Sequence, residues 1–131
     1  MPARECFEAA ILRVVPRVER EEFINAGVVL FCQARRFLGA RIELDRSRLA
    51  ALAPGLIDFD EVQQHLDHIR LICEGHAEAG PIGQLSQAER FHWLVAPRST
   101  IIQVSAAHSG LSEDPALTLK HLMETMVLLL K

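Results

Sequence analysis

The chain is short of the features that most readily announce a function. It has only three cysteines, Cys6, Cys32 and Cys73, an odd and widely spaced set with no CxxC pair. That excludes a disulfide framework and a zinc ribbon, and reads as buried, reduced thiols in a cytoplasmic protein. Long hydrophobic runs are missing too. A strongly apolar stretch such as Val127 to Leu130 falls far below the roughly 20 residues of a membrane span. The N-terminus turns charged at Arg4-Glu5 with no apolar core behind it, so no secretory leader is expected. An excess of basic charge is also absent. Net charge is -3, which argues against a broad nucleic-acid surface. Lysine is scarce: 12 of the 14 basic residues are arginine, the side chain better suited to bidentate contacts with carboxylate or phosphate.

What is there describes a folded globule. Half of the 131 residues are hydrophobic and 24% are charged, enough for a core in a single domain spanning 1–131. Cys6 to Val15 reads as a strand ended by Pro16, and Ala26 to Gln33 as a second. Its unbroken Val28-Val29-Leu30-Phe31-Cys32 run predicts burial on both faces. Phe37 to Leu44 completes a meander. Helical signals follow. Asp45 caps a short helix to Leu52. Asp58 opens a longer one to about Gly75, with Val62, Leu66, Ile69 and Cys73 on one face. Ser86-Gln87-Ala88-Glu89 opens a short helix toward Phe91, whereas Trp93 to Ala96 and Thr100 to Ser105 read as extended and His108 to Glu113 as a polar loop. Asp114-Pro115 starts a final helix with Leu119, Leu122, Met126 and Leu130 on one side. The fold class expected is α+β: a mostly antiparallel sheet with helices packed mainly on one face.

Two segments are candidates for a site. Glu19-Arg20-Glu21-Glu22-Phe23-Ile24-Asn25-Ala26-Gly27 crowds more polar groups between two apolar runs than a connection needs. Arg20 suits an anion, Glu22 acid–base or metal chemistry, and Asn25 the tight approach to Gly27. Arg13 lies on the preceding strand, within reach if the two strands pair. The second segment holds Trp93, a stacking surface, and Arg98, Ser99 and Thr100, a set suited to phosphate or carboxylate. The plain alternative for the first is a solvated loop with weak ion pairs, and for the second a core tryptophan beside a turn.

Other constellations carry less. Glu61, His65 and His68 share a helix face, but no HExxH is present and His76 brings no second ligand pair, so no metal is assigned. His108-Ser109 near Glu113 lacks a nucleophile elbow and reads as a turn. No cofactor motif occurs. The C-terminal helix, with Met123, Val127, Leu128 and Leu129 beyond its main stripe, is either core or the face of a homodimer or protein partner.

Ala10-Ile11-Leu12-Arg13-Val14-Val15-Pro16, then Glu19 through Phe31, resemble the N-terminal signature of a bacterial family, domain of unknown function 3037. Phe91-His92-Trp93-Leu94-Val95-Ala96-Pro97-Arg98-Ser99-Thr100 and Gly110-Leu111-Ser112-Glu113-Asp114-Pro115 resemble its second half. Ala26 departs from the larger aliphatic residue expected there. The resemblance implies no reaction and no catalytic residue. It implies a partner, a HipA-like kinase encoded nearby, through gene context alone. The leading expectation is a small interaction or regulatory module. The alternative is an enzyme or binding domain for a phosphorylated or nucleic-acid ligand.

Overall fold

A computed structural model describes residues 3–55, 57–97 and 100–128. Five antiparallel strands form its sheet: β1 (Glu5–Val14), β2 (Ile24–Cys32), β3 (Phe37–Ile42), β4 (Ile102–Val104) and β5 (His108–Ser112). The order is β3-β2-β1, and the far side of β1 pairs first with β4 and then with β5. Four helices, α1 (Arg46–Leu52), α2 (Phe59–Glu74), α3 (Gln87–Val95) and α4 (Pro115–Met126), complete the α+β architecture.

Each helix starts where a side-chain cap satisfies a free amide. Asp45 accepts from Arg48, Asp58 from Glu61, Ser86 from Glu89 and Asp114 from Leu117, at 3.0 to 3.3 Å. Helices α1 to α3 pack on one face of the sheet, where Leu12, Val14, Val29 and Phe31 meet Leu49, Leu66, Ile72 and Phe91. Helix α4 covers the other face, seating Leu119, Met123 and Val127 on Ala9, Ile11, Val28, Leu30 and Cys32. Burying each of the larger of these, the valines, leucines, isoleucines, phenylalanines and methionine, contributes roughly 1.5–3 kcal/mol. The sheet lies between two layers, so the apolar run of β2 is buried on both faces, as its sequence predicts.

Four expectations are corrected. Trp93 to Val95 are helical, not extended, because the turn nucleated at Ser86 continues until Pro97, with Phe91 and Leu94 facing the core. His108 to Ser112 form a strand, made by pairing with Glu5–Ala9 rather than by local propensity. The buried stripe of α4 is Leu119, Met123 and Val127. Leu122 is only half-buried, Met126 is exposed, and Leu130 lies outside the described residues. All three cysteines are free, and Cys32 and Cys73 are buried, but Cys6 is exposed. It stands opposite Leu111 at a sheet end where the face toward α2 is uncovered.

One irregularity decides where the site residues point. Leu12 pairs with Gly27 but Arg13 pairs with Asn25, so Ala26 is an extra residue in β2. This bulge puts Ile24 and Ala26 on the same face as Val29 and turns Asn25 toward α4. Ala26 is fully buried, and its small side chain stands where the family resemblance led one to expect a larger residue.

Candidate functional site

The two sequence segments meet at one end of the sheet. The Val15 amide donates to the Ile101 carbonyl at 2.7 Å, and Arg13 stands opposite Gln103. Their side chains nevertheless separate onto opposite faces.

On the α4 face, Asn25, Arg13 and Gln103 form a polar row across β2, β1 and β4. Asn25 Nδ2 donates to the Met126 carbonyl at 3.0 Å, and Gln103 Nε2 donates to the Thr100 carbonyl at 3.0 Å. The Arg13 guanidinium lies 4.2 Å from the Phe23 ring centre, a cation–π contact. Arg13 Nε and Asn25 Oδ1 are buried and find no hydrogen-bond partner among the described residues.

Arg20 and Glu22 occupy the preceding loop. A short helical turn, Val18–Arg20, closes on Glu21 in the left-handed conformation (φ 56°). Arg20 Nε donates to Glu22 Oε1, and both side chains are exposed. That hydrogen bond, then the Glu22 charge, raises the arginine pKa above its ordinary value and keeps the guanidinium charged. The pair engages itself, and neither member reaches the Arg13–Asn25 row by any hydrogen bond or ion pair among the described residues.

On the opposite face, Trp93 and Thr100 line a groove of about 420 Å³ between α2, α3 and β4. Ile69, Ile72, Ile101 and Ile102 make it mainly apolar, and His65 and His68 stand at its α2 side. Trp93 is 39% exposed, a boundary residue rather than a core one. Arg98 and Ser99 lie outside the described residues. His65 Nε2 lies 3.8 Å from Glu61, and His76 Nδ1 instead accepts from the Glu78 amide. Among the described residues no three His, Cys, Asp or Glu side chains are grouped to hold a metal ion.

A family model described as Protein of unknown function (DUF3037) matches residues 10–127. The chain belongs to that family. The DUF3037 region therefore takes in both faces of the sheet, the polar row and the isoleucine groove alike. No curated protein and no solved structure matches the chain. Among the described residues of this DUF3037 protein, no helix is long and apolar enough to cross a membrane.

Arg90 is a residue that sequence reasoning passed over. It is 9% exposed and its guanidinium donates to the carbonyls of Ile72, Cys73 and Leu85 at 2.8 to 3.0 Å. The only sequence signal was its spacing: it sits four residues before the buried Leu94. A cation there completes the C-terminus of α2, where the last carbonyls gather at the negative end of the helix and the Ile72 oxygen accepts from the Gly75 amide as well.

Proposed function

We propose that this DUF3037 protein is a small cytoplasmic interaction module that binds a protein partner and carries out no chemistry itself. The observation that carries the reading is the groove between α2, α3 and β4. A half-exposed tryptophan over a floor of isoleucines, with histidines and a threonine at its margin, has the composition of an interface anchor pocket. An apolar side chain from a partner segment fits such a floor, and the indole adds contact area at little entropic cost. Helix α4 offers less to a partner, since its stripe is spent on the sheet and, of its large apolar side chains, Leu117 and Met126 alone stand exposed among the described residues. The family resemblance supports a HipA-like kinase as the partner to test.

The experiment is calorimetric titration of the purified protein with the neighbouring HipA-like kinase, repeated with Trp93→Ala and Ile69→Asn. Expected is binding that Trp93→Ala weakens by roughly tenfold to a hundredfold, as interface anchors do. Unchanged affinity in both variants would remove the groove from the interface.

A second reading, a site for a phosphorylated or nucleic-acid ligand, is favoured by a different observation: the unpartnered Arg13 Nε. An anion accepting from it would satisfy that buried donor, and a ligand hydroxyl or amino group would donate to the unpartnered Asn25 Oδ1. Trp93 and Thr100 face the other layer and take no part in that clamp. A thermal-shift screen with nucleotides and sugar phosphates, compared with Arg13→Met, tests it. A stabilisation lost in the variant supports the clamp, and no shift with any anion ends it.

A further inference from the structure

The two outer edges of the sheet are guarded differently. Strand β3 has α2 on one face and α4 on the other, and charged Arg41 and Glu43 flank its exposed side with Asp67 and Arg70 of α2 nearby. Those are devices that discourage a further strand. Strand β5 carries none of them within its own length, and the charges just past it, Glu113 and Arg4, are paired with each other at 3.9 Å. Its sequence, His108-Ser109-Gly110-Leu111-Ser112, holds no lysine, arginine, carboxylate or proline, and no strand pairs with its outer side among the described residues.

The ladder shows which backbone groups that side presents. The Val15 amide donates to Ile101 and the Ser105 amide to Ile11, so the odd residues of β1 point their hydrogen-bonding groups toward this edge. By the alternation of an antiparallel pair, His108, Gly110 and Ser112, which face Ala9, Phe7 and Glu5, use theirs on β1. The amides and carbonyls of Ser109 and Leu111 therefore point outward. Leu111 is 62% exposed. Phe7 covers Gly110 from the α4 face, where a Cβ would lie 2.6 Å from the ring, so the leucine emerges on the opposite, uncovered face.

We propose that β5 pairs with β5 of a second copy of this chain, forming a two-fold antiparallel seam centred on Gly110. In that register Ser109 stands opposite Leu111 of the partner copy, and each pair exchanges its two free backbone hydrogen bonds. Gly110 meets its counterpart at the closely spaced position, where the absence of a side chain on both strands lets the backbones approach. The two leucines become diagonal neighbours, within reach of each other across the seam. The edge is its own complement, which favours a second copy over an unrelated strand: its outward backbone groups, on Ser109 and Leu111, lie symmetrically about Gly110, and no residue of β5 carries a carboxylate, lysine or arginine to repel its counterpart. The surface is separate from the isoleucine groove, so it stands or falls independently of partner binding there.

The test is sedimentation equilibrium across a wide concentration range, with Ser109→Pro and Leu111→Lys. Proline at 109 removes an outward amide and leaves the bonds to β1 in place, a position where an edge strand tolerates it. Lysine at 111 is the guard that the natural strand lacks. Circular dichroism checks that both variants fold, and Trp93→Ala serves as a control expected to keep the wild-type mass. Expected is a wild-type dimer that dissociates on dilution, with both edge variants monomeric at every concentration. A wild type that stays monomeric when concentrated, or a dimer that both variants retain, would overturn the proposal. So would a monomer whose binding to the HipA-like kinase is lost in Ser109→Pro, since the edge would then belong to a partner's strand.

Discussion

Arg90 Nη1 donates to the Ile72 carbonyl at 2.8 Å, although the two residues are 18 positions apart in sequence. The same nitrogen reaches Cys73 at 2.9 Å, and Nε reaches Leu85 at 3.0 Å. One buried guanidinium thus joins the end of α2, the segment after it and α3. Replacing Arg90 with methionine keeps the volume and removes three charge-assisted bonds. The expected loss is about 2–4 kcal/mol in urea unfolding, with Arg90→Lys recovering part of it because the ammonium lacks the planar fork. A loss below about 0.5 kcal/mol would mean that the carbonyls find other donors.

Cys73 lies at the same junction, and its thiol is pushed up to about 12. Burial is the main cause, and the Arg90 charge partly opposes it. A raised native pKa means that the unfolded chain releases this proton first. The stabilisation is complete below pH 9.0, the thiol's ordinary value, and is lost as pH climbs from there through 12. Stability measured from pH 8 upward should therefore fall less steeply in Cys73→Ala than in the wild type. In the native protein at mildly alkaline pH, alkylation should modify Cys6 and spare Cys32 and Cys73. Equal labelling of all three would contradict this packing.

Gly27 is held by close approach rather than by an unusual backbone angle. A Cβ built there would lie 2.6 Å from the backbone oxygen of Arg41 on β3 and 3.1 Å from the Leu12 side chain. Backbone in the middle of a sheet cannot step aside, so Gly27→Ala should destabilise by roughly 2 kcal/mol or more. Gly55→Ala is the contrasting control, since nothing stands within 4 Å of its Cβ. Its cost should be only the strain of a left-handed angle, about 1 kcal/mol. A reversed ranking in thermal unfolding would refute the argument.

The difference between what was legible in this sequence and what was not follows the range of the interactions. Helix starts depend on a cap and the amide three residues on, so Asp45, Asp58, Ser86 and Asp114 could be read directly, and α1 runs over the residues expected. Strand β5 has no alternation and a glycine at its centre. It exists because β1 offers it a ladder about a hundred residues away in sequence. The bulge at Ala26 is equally silent, since an extra residue looks like any other until two strands are aligned. It decides the site geometry, because it sends Asn25 to the α4 face beside Arg13. The arginine, glutamate and asparagine side chains of the opening segment look like one cluster in sequence, yet the chain divides them between an exposed loop and a sheet face. Arg90 reads as a solvated helix residue because a buried cation is rare, and its partners are backbone carbonyls that no residue type reveals.

Asn25 ties the bulge to the last turn of α4 through its bond to the Met126 carbonyl, a link spanning 101 positions. Among the described residues past Met126, the end of the helix is held by the Val127 and Leu128 amides, both bonded to Met123, and by the seating of Val127 on the sheet. Removing the amide by Asn25→Ala should cost about 1 kcal/mol of global stability, the net worth of one such bond. The local effect should exceed the global one, because a helix terminus opens without unfolding the sheet. Hydrogen exchange is therefore the sharper measurement. The amides of Val127 and Leu128 should lose protection in Asn25→Ala, while those of β1 and β2 change only by the global amount. Uniform acceleration throughout the chain would show that the Asn25 link stabilises the whole fold and not the end of α4.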